Sequence, residues 1–363
     1  MNTNNFCVIM AGGIGARFWP MSRTAYPKQF IDILGTGETL IQRTFRRFTD
    51  VCPSENIYVV TSNLYYDLVK EQLPNMRPEN ILCEPFRRNT APCIAYANYR
   101  IAAVNPNANI IVAPSDHVIL REETFTEVIK TALAATEKNN WLLTLGIKPS
   151  RPDTGYGYIQ FVEDEVPATD SRIRKVKTFT EKPNLELART FLASGDFLWN
   201  AGIFIWKLST IQSAFETYLP DVDAVFKAGV GKYGSPSEKE FIDHAYMICK
   251  SISIDYGVME KADNVYTLSS DFGWSDLGTW GSLYDISTKD ENANVTLKSN
   301  STFYQSKGNI VVLPENKLAV IQDLEGYIVA EADNVLMICK MKDEQNIRQF
   351  VNDADVKFKG KYN

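Results

Sequence analysis

Short apolar runs alternate with amphipathic stretches over about the first 150 residues of the 363-residue chain. The apolar runs predict buried strands, and stretches with apolar positions three or four apart predict the helices between them. Because continuous apolar strands are typical of sheets buried on both faces, the pattern predicts a doubly wound, mostly parallel α/β sheet. We expect its strands at residues 6–11, 56–62, 81–84, 109–113 and 141–147.

The helices between these strands are expected at residues 39–51, 64–73, 92–104 and 125–133. Asn63 directly precedes the second of them. An amide oxygen at that position can accept a hydrogen bond from a free N–H group of the first helical turn. We therefore expect Asn63 to be the N-cap of that helix.

After residue 149 the alternation loosens, with strands expected at residues 156–161, 176–180 and 202–207. We interpret residues 151–290 as the second half of a domain whose first half is residues 1–150. A polar, Asn-rich stretch near residue 290 marks a boundary. Beyond it, residues 291–363 contain short β runs roughly eight or nine residues apart, which predict a small β-rich domain, either a meander or a short β-helix.

The composition excludes several classes of function. A net charge of −6 leaves no basic surface for nucleic acid. No segment approaches the ~20 apolar residues that cross a membrane, and the first residues lack the pattern of a signal peptide. The six cysteines are scattered and form no C-x-x-C pair. We therefore expect a cytoplasmic protein with reduced thiols and no membrane partner.

Residues 8–30 contain the densest chemical signal of the chain, V-I-M-A-G-G-I-G-A-R-F-W-P-M-S-R-T-A-Y-P-K-Q-F. Gly12, Gly13 and Gly15 follow an expected strand, where bare backbone N–H groups can approach a phosphate closely. Arg17 and Lys28 then supply positive charge. The pattern predicts a cradle for a polyphosphate, although a plain glycine turn with two solvated cations is the simpler alternative.

Two familiar phosphate-binding loops do not fit this stretch. A dinucleotide-binding loop needs a third glycine where Phe18 stands and a helix that Pro20 would interrupt. A P-loop needs Lys and then Ser or Thr directly after its last glycine. The form A-G-G-x-G-x-R-x-W-P-x-S-R-x-x-x-P-K-Q-F instead resembles the signature loop of the sugar-1-phosphate nucleotidyltransferases, and most of all that of the mannose-1-phosphate guanylyltransferases.

The resemblance continues in family order to about residue 285. It implies a Rossmann-like, GT-A-like domain that transfers GMP from GTP to α-D-mannose 1-phosphate, giving GDP-mannose and pyrophosphate. In that family the loop binds the nucleotide, which here implies Ala11, Gly12, Gly13 and Gly15. Arg17 and Lys28 are the implied catalytic cations.

The second motif is E-P-F-R-R-N-T-A-P at residues 84–92, between an expected strand and a helix. One interpretation is a polar connection in which Asn89 or Thr90 caps the helix. A functional interpretation is base recognition, since a carboxylate at Glu84 can accept hydrogen bonds from the N1–H and N2–H groups of guanine. The string resembles the base loop of the guanylyltransferases, which implies that Glu84, Asn89 and Thr90 bind the nucleotide.

Two further strings each contain one acid, Asp116 in A-P-S-D-H and Asp276 in G-W-S-D-L-G-T-W. Either acid alone is also typical of a turn or a helix cap. Nucleotidyl transfer requires a divalent cation, and Mg²⁺ prefers carboxylate oxygens. Both strings resemble the family's metal loops, which implies one Mg²⁺ between Asp116 and Asp276. His117 is given no role, because an ionised sugar phosphate needs no general base.

Four short strings resemble the segments that hold the sugar phosphate in this family. They contain G-Y-G-Y, E-K-P, W-N-A-G-I-F and S-I-D-Y, and taken alone each is also typical of hairpins, surface turns or helix caps. Asn200 and Gly202 are expected at the start of a strand. The implied contacts to mannose 1-phosphate come from Tyr156, Gly157, Glu181, Lys182, Asn200, Gly202 and Asp255.

The tail resembles the short left-handed β-helix of monofunctional bacterial relatives, which implies a homodimer. It lacks the clustered His and Glu of a fused phosphomannose isomerase, so we expect none. Two alternatives remain open: a transferase for another base or hexose, and a catalytically silent nucleotide-sugar sensor. The Glu84 motif argues against the first. A silent sensor usually lacks one of the catalytic cations or one of the metal-binding carboxylates, and this chain has residues of both kinds.

Overall fold

The computed structural model describes residues 2–13, 16–163 and 170–362. Gly15, which is predicted to bind the nucleotide, lies outside the described residues. Packing divides the chain into two compact units. The first unit consists of Met1–Gly12, Thr44–Ser115 and Ile119–Trp274, and the second unit consists of Gly13–Arg43, Asp116–Val118 and Ser275–Asn363.

This division differs from the predicted boundary near residue 290. The segment Gly13–Arg43, which contains most of the signature loop, belongs to the same unit as the C-terminal part of the chain. Buried aromatic residues explain the grouping, because Phe18 and Trp19 share a core cluster with Trp280 and with apolar side chains of the C-terminal strands. The predicted domains, 1–290 and 291–363, stay a prediction.

The described residues form strands and helices throughout. The strands are β1 Asn5–Met10, β2 Ile57–Ser62, β3 Ile81–Glu84, β4 Asn109–Pro114, β5 Val118–Ile119, β6 Leu142–Ile147, β7 Gly157–Phe161, β8 Ile173–Glu181, β9 Phe197–Lys207, β10 Val265–Ser270, β11 Trp274–Ser275, β12 Val295–Leu297, β13 Asn300–Tyr304, β14 Ile310–Val312, β15 Leu318–Gln322, β16 Tyr327–Ala332 and β17 Val335–Lys340. The α-helices are α1 Leu40–Phe48, α2 Tyr66–Gln72, α3 Thr90–Ala102, α4 Glu122–Lys138, α5 Leu185–Ser194, α6 Leu208–Tyr218, α7 Pro220–Lys227, α8 Glu238–Ile248, α9 Trp280–Ile286 and α10 Ile347–Phe358.

The first unit is built on a nine-stranded sheet in the order β3-β2-β1-β4-β9-β6-β10-β8-β7. Strands β3, β2, β1 and β4 are parallel neighbours, and β6 and β10 are also parallel. Strands β9 and β8 run against all of their neighbours, so the second half of the sheet is mixed. The prediction of an α/β sheet is confirmed, and its parallel character is complete only in the first half.

The central strands are buried on both faces, which explains their continuous apolar sequences. Phe6 and Val8 of β1 belong to a large core cluster that includes residues of helices α3, α6 and α7. Cys7 and Ile9, which point to the opposite face, have no exposed surface either. The carboxyl ends of β1, β3 and β4 therefore lie on one well-packed edge, from which the predicted binding segments leave the sheet.

Two local predictions are wrong. The residue that caps the turn after β2 is Ser62, whose hydroxyl accepts a hydrogen bond from Leu64 N at 3.3 Å, and Asn63 already belongs to a 3₁₀-helix, Asn63–Tyr65. Strand β9 begins at Phe197, so Asn200 and Gly202 lie inside the strand instead of at its start. Its pairing with β6 is irregular between Thr144 and Gly146, opposite this point.

In the second unit, β12, β14 and β16 are parallel neighbours, with β17 antiparallel to β16. Strands β13 and β15 form a separate parallel pair. Parallel pairing excludes the predicted alternative of a meander, in which consecutive strands are antiparallel. Within the described ranges, no helix is long and apolar enough to cross a membrane.

Candidate active site

The segment after β1 is held close to the first unit's sheet. Ala11 N donates to the carbonyl oxygen of Val60 at 2.7 Å, and the Thr61 hydroxyl donates to the carbonyl oxygen of Ala11 at 3.0 Å. A Cβ atom on Gly12 would lie 3.3 Å from Oε2 of Glu84. Gly12 therefore leaves space beside the carboxylate that is predicted to bind the base.

Glu84 ends strand β3, and only 8% of it is exposed. Its Oε1 accepts a hydrogen bond from the hydroxyl of Tyr246 on helix α8 at 2.9 Å. Burial raises the pKa of Glu84 to about 7, although the hydrogen bond from Tyr246 acts to lower it. The carboxyl group is thus oriented by one partner, and its charge depends on pH near neutrality. The sequence contained no signal for Tyr246, which is an ordinary buried aromatic residue of a helix.

Asn89 is the N-cap of helix α3, as one of the two interpretations predicted. Its side chain accepts a hydrogen bond from Thr90 N at 2.9 Å, and its backbone, with φ 69° and ψ −171°, lies in a region that few residues other than glycine adopt. The Thr90 hydroxyl accepts a hydrogen bond from Ile254 N at 2.9 Å. Thr90 therefore joins the loop after β3 to the segment that contains Asp255.

Asn200 is the centre of a hydrogen-bond network among the residues that are predicted to bind the sugar phosphate. Its Nδ2 donates to Oδ1 of Asp255 at 3.0 Å, and its Oδ1 accepts from the Thr144 hydroxyl at 2.8 Å and from Gly202 N at 3.1 Å. Burial, together with the carboxylate of Glu181, raises the pKa of Asp255 to about 7. Thr144, from the middle of β6, is a second residue that sequence reasoning missed.

Gly157 and Glu181 face each other across the β7–β8 pair. A Cβ atom on Gly157 would overlap Oε2 of Glu181, so the absence of a side chain gives that carboxylate its position. Lys182 forms an ion pair with Glu181, and its N–H donates to the carbonyl oxygen of Tyr156 at 3.2 Å. The Lys182 backbone has a left-handed φ of 48°. The structure thus brings these four predicted residues together.

Tyr156 belongs to an aromatic cluster, with its ring 5.0 Å from Trp199 and 5.1 Å from Trp274. Arg151 lies beside it and donates from Nη2 to the Tyr156 hydroxyl at 3.3 Å. Its guanidinium also lies over the Trp199 ring, 5.3 Å from the centroid. Arg151 is thus a cation beside the predicted sugar-binding residue Tyr156, and no sequence motif had identified it.

The second unit contains a cavity of about 270 Å³ that is lined by predicted site residues. It collects two predicted cations, Arg17 and Lys28, and two predicted metal ligands, Asp116 and Asp276. The remaining lining residues are Phe18, His117, Leu277, Gly278 and Arg348. Four predicted site residues, far apart in sequence, thus share one cavity.

Lys28 makes several contacts in this cavity, and only 4% of it is exposed. Its ammonium group lies 2.9 Å from Oδ2 of Asp116. It also donates to the carbonyl oxygens of Asp276 at 2.8 Å and Leu277 at 3.0 Å. Burial acts to raise the pKa of Asp116, but Lys28 and His117 outweigh it and hold that pKa below its usual value. Asp116 is therefore an anion at neutral pH.

Arg17 is exposed and donates from Nη1 to the carbonyl oxygen of Gly278 at 3.4 Å. Gly278 N in turn donates to Oδ1 of Asp276 at 2.9 Å. The Gly13 carbonyl oxygen accepts a hydrogen bond from Gln29 at 2.8 Å, which joins the two ends of the signature loop. The loop cations and the Asp276 segment therefore form one hydrogen-bonded network.

The two carboxylates of the cavity fit Mg²⁺ better than a metal ion whose ligands are all protein side chains. Among the residues that the structure describes, no three His, Cys, Asp or Glu side chains cluster to hold a metal ion. Mg²⁺ usually takes only one or two carboxylates and completes its shell with water and substrate phosphates. Asp116 and Asp276, on the wall of one cavity, match that requirement.

Comparison with known proteins places the chain in a family. A family model described as nucleotidyl transferase matches residues 6–293. The chain belongs to the nucleotidyl transferase family. The alginate biosynthesis protein AlgA of Pseudomonas aeruginosa is 34% identical over 96% of this chain and 72% of its own length. A mannose-1-phosphate guanylyltransferase of Escherichia coli K12 is 34% identical over 93% of this chain and 72% of its own length.

A solved structure of another nucleotidyl transferase relative resembles the fold closely. The crystal structure described as mannose-1-phosphate geranyltransferase from Thermus thermophilus superposes with a TM-score of 0.87 at 27% sequence identity. The match covers 97% of this chain and 99% of that chain. The likeness to this structure therefore extends over the chain and is not limited to the signature loop.

The raised pKa of Glu84 makes stability depend on pH. The folded protein holds this proton up to about pH 7, whereas the unfolded chain releases it near 4.5, so the free energy of unfolding falls as pH rises through that interval. The difference in unfolding free energy between wild type and Glu84→Gln should fall by up to about 3 kcal/mol between pH 4.5 and 7. Urea titrations at each pH measure it. Asp255 is present in both proteins, so its titration does not contribute to the difference. A difference in unfolding free energy that does not change with pH would contradict the raised pKa of Glu84.

Proposed function

We propose that the protein is a mannose-1-phosphate guanylyltransferase, which transfers GMP from GTP to α-D-mannose 1-phosphate and releases pyrophosphate. The observation that carries the proposal is the cavity in which Arg17, Lys28, Asp116 and Asp276 meet. Paired cations and carboxylates are what the transfer of a nucleotidyl group requires. The choice of mannose and guanine is supported by the names of the relatives and by the Glu84 and Asn200 clusters.

The reaction is a direct in-line displacement. A phosphate oxygen of mannose 1-phosphate attacks the α-phosphorus of GTP, while the bond from that phosphorus to the bridging oxygen of the β-phosphate breaks. The electron pair leaves with pyrophosphate. Because the attacking phosphate is already ionised, no side chain needs to remove a proton. Catalysis therefore consists of positioning and of charge stabilisation, for which Arg17 holds the β- and γ-phosphates and Lys28 neutralises the α-phosphate.

Asp116 and Asp276 are the proposed ligands of Mg²⁺, which when bound supplies further positive charge to the phosphate oxygens. Lys28 keeps Asp116 ionised, since their ion pair lowers the pKa of this carboxyl group against the effect of burial. The loop hydrogen bonds at Gly278 orient the Asp276 carboxylate. Asp116 is thus charged, and hydrogen bonds hold the segments of both acids in place before a cation arrives.

Base selection is assigned to Glu84. The carboxylate form accepts hydrogen bonds from guanine N1–H and N2–H, a pair of donors that uracil and thymine lack. Tyr246 fixes one carboxylate oxygen, and Gly12 leaves room beside the other. Adenine offers no matching pair of donors on that edge. The same carboxyl group is protonated below its pKa of about 7, which weakens this contact in acid.

Sugar binding is assigned to the cluster around Asn200. Glu181 and Asp255 are the acceptors for hexose hydroxyls, and the backbone at Tyr156 and Gly157 contributes amide groups. Lys182, whose side chain is 61% exposed and paired with Glu181, is the assigned contact to the sugar phosphate. The network through Thr144, Asn200 and Gly202 holds these groups in place.

Substrate specificity tests the function directly. Pyrophosphate release should be measured with Mg²⁺ for GTP, ATP, UTP and dTTP, each with mannose 1-phosphate or glucose 1-phosphate. We expect release with GTP and mannose 1-phosphate to exceed every other pair. Preference for another pair would keep the transferase chemistry but overturn the assignment of Glu84 or the sugar cluster. Release from no pair, with nucleotide still bound, would favour a silent sensor.

The role of Lys28 has its own test. Lys28→Ala removes the charge that faces the α-phosphate, and loss of one such group commonly costs about 3 kcal/mol, or roughly a hundredfold in turnover. The expected result is a kcat at least that much lower, in a protein that still unfolds cooperatively. Lys130→Ala, at an exposed lysine of helix α4, is the matched control. Near-normal turnover of Lys28→Ala would exclude the proposed role.

We also propose that β12 to β16 form a short left-handed β-helix through which two copies associate. Support comes from the parallel pairing of strands 15 and 18 residues apart, Val295 with Ile310 and Ile310 with Ile328. On the neighbouring β15, Leu318 and Val320 are 63% and 66% exposed. Exposed apolar residues that lie together on a surface are typical of a site that a partner covers.

Sedimentation tests the association. Wild type should have the mass of a dimer at micromolar concentration, and Val320→Asp should shift it toward the monomer, because burying the new charge in an interface is costly. Val356→Asp, at a residue of α10 that is 83% exposed, is the control and should leave the mass unchanged. A monomeric wild type would contradict the proposal.

A further inference from the structure

Arg348 is a third cation on the wall of the cavity that contains Arg17 and Lys28. It occupies the second position of helix α10, close to the C-terminal end of the chain. No motif marks it, and the resemblance that identified the other residues ends more than sixty positions earlier, near residue 285. Only the structure shows that this residue lines the same cavity as the predicted catalytic groups.

The start of α10 is firmly anchored. Ile347, the residue before Arg348, is only 1% exposed and packs in a core cluster that includes Phe18, Leu277 and Trp280. Oε2 of Glu344, in the preceding turn, accepts a hydrogen bond from Gly281 N at 2.9 Å. The segments that carry Arg17 and Asp276 are thus packed directly against the helix start.

The end of the chain is attached to the signature loop as well. The indole N–H of Trp19 donates to the carbonyl oxygen of Tyr362 at 3.1 Å. Helix α10 also contacts the 3₁₀-helix Ala16–Phe18, which contains Arg17. Contacts near both ends therefore hold α10 against the loop, so Arg348 is presented to the cavity by a fixed backbone.

The charges in the cavity favour an anion. Lys28 is paired with Asp116, whereas neither Arg17 nor Arg348 forms an ion pair with any residue that the structure describes. Three cations and two carboxylates line the wall, which leaves an excess of one positive charge. A guanidinium presents parallel N–H donors that match two oxygens of a phosphate. Two such groups in one cavity suit a ligand with more than one phosphate.

We propose that Arg348 binds the terminal phosphates of the nucleotide and the pyrophosphate that they become. The proposal rests on the proposed function, and it adds the C-terminal helix to the transferase site. Arg17 and Arg348 share the β- and γ-phosphates, which leaves Lys28 for the α-phosphate. Mannose 1-phosphate and GDP-mannose contain no free pyrophosphate group, so Arg348 distinguishes GTP and pyrophosphate from the other two reactants.

The test compares Arg348→Gln with the wild type in both directions of the reaction. We expect the KM values for GTP and for pyrophosphate to rise about tenfold, the usual effect of losing a hydrogen bond to a charged group. The KM values for mannose 1-phosphate and GDP-mannose should stay within about twofold. Arg348→Lys retains the charge and should restore part of the loss. Lys357→Gln, at an exposed lysine of the same helix, should behave as wild type.

Two kinetic outcomes would overturn the proposal. If Arg348→Gln leaves the KM values for GTP and pyrophosphate within about twofold of wild type, Arg348 does not bind these phosphates. If all four KM values rise alike, the residue has only a structural role. Thermal unfolding of each variant shows whether the fold is intact, which is expected because Arg348 is exposed.

Direct binding separates this inference from the proposed function. Calorimetric titration with pyrophosphate needs no turnover, and Arg348→Gln should bind pyrophosphate about tenfold more weakly than wild type. If Arg348→Gln binds pyrophosphate more weakly than wild type, but the wild type transfers no nucleotide, the proposed function is overturned and Arg348 is retained as a phosphate ligand. Equal binding by the two proteins, or none by wild type, would overturn the role of Arg348 even in an active transferase.

Discussion

The buried ammonium group of Lys28 is the interaction on which the second unit's cavity depends. A charge with almost no exposed surface is stable only when its donors are satisfied, and Lys28 meets this condition with Asp116 and with two carbonyl oxygens of the Asp276–Leu277 segment. One side chain thereby joins three segments that are far apart in sequence. The ion pair holds the pKa of Asp116 below its usual value, and the two carbonyl contacts fix the segment that contains Asp276.

The candidate site residues of the first unit include two buried carboxyl groups, in contrast to the buried lysine of the second unit. Glu84 and Asp255 both have pKa values raised to about 7, chiefly because burial disfavours the charged carboxylate. Each accepts a hydrogen bond from a fixed partner, Tyr246 or Asn200. Burial of an acid costs stability, and this cost is typical of positions at which a ligand supplies the missing donors. The two acids therefore mark the places where we assign the base and the hexose.

The nucleotidyl transferase fold explains which structural features could be predicted from the sequence and which could not. Strands β1, β3 and β4 are parallel neighbours, so segments that follow them leave from one edge of the sheet. Their apolar sequences and the glycine-rich loop could be recognised without coordinates. The reversal of β9 and β8 could not, because strand direction depends on which partner a strand finds. The N-cap after β2 could not be predicted either, because Ser62 and Asn63 are neighbours and both residue types are common N-caps.

The sequence by itself determined the α/β class, most of the strands and the residue types of the candidate site, because these depend on local periodicity and on short motifs. Only the tertiary structure decided which distant groups meet. Tyr246, Thr144, Arg151 and Arg348 have no motif, and each reaches a site residue or its cavity through the packing of another element. The signature loop packs with the C-terminal segments for the same reason: Phe18 and Trp19 are buried against apolar side chains hundreds of residues away.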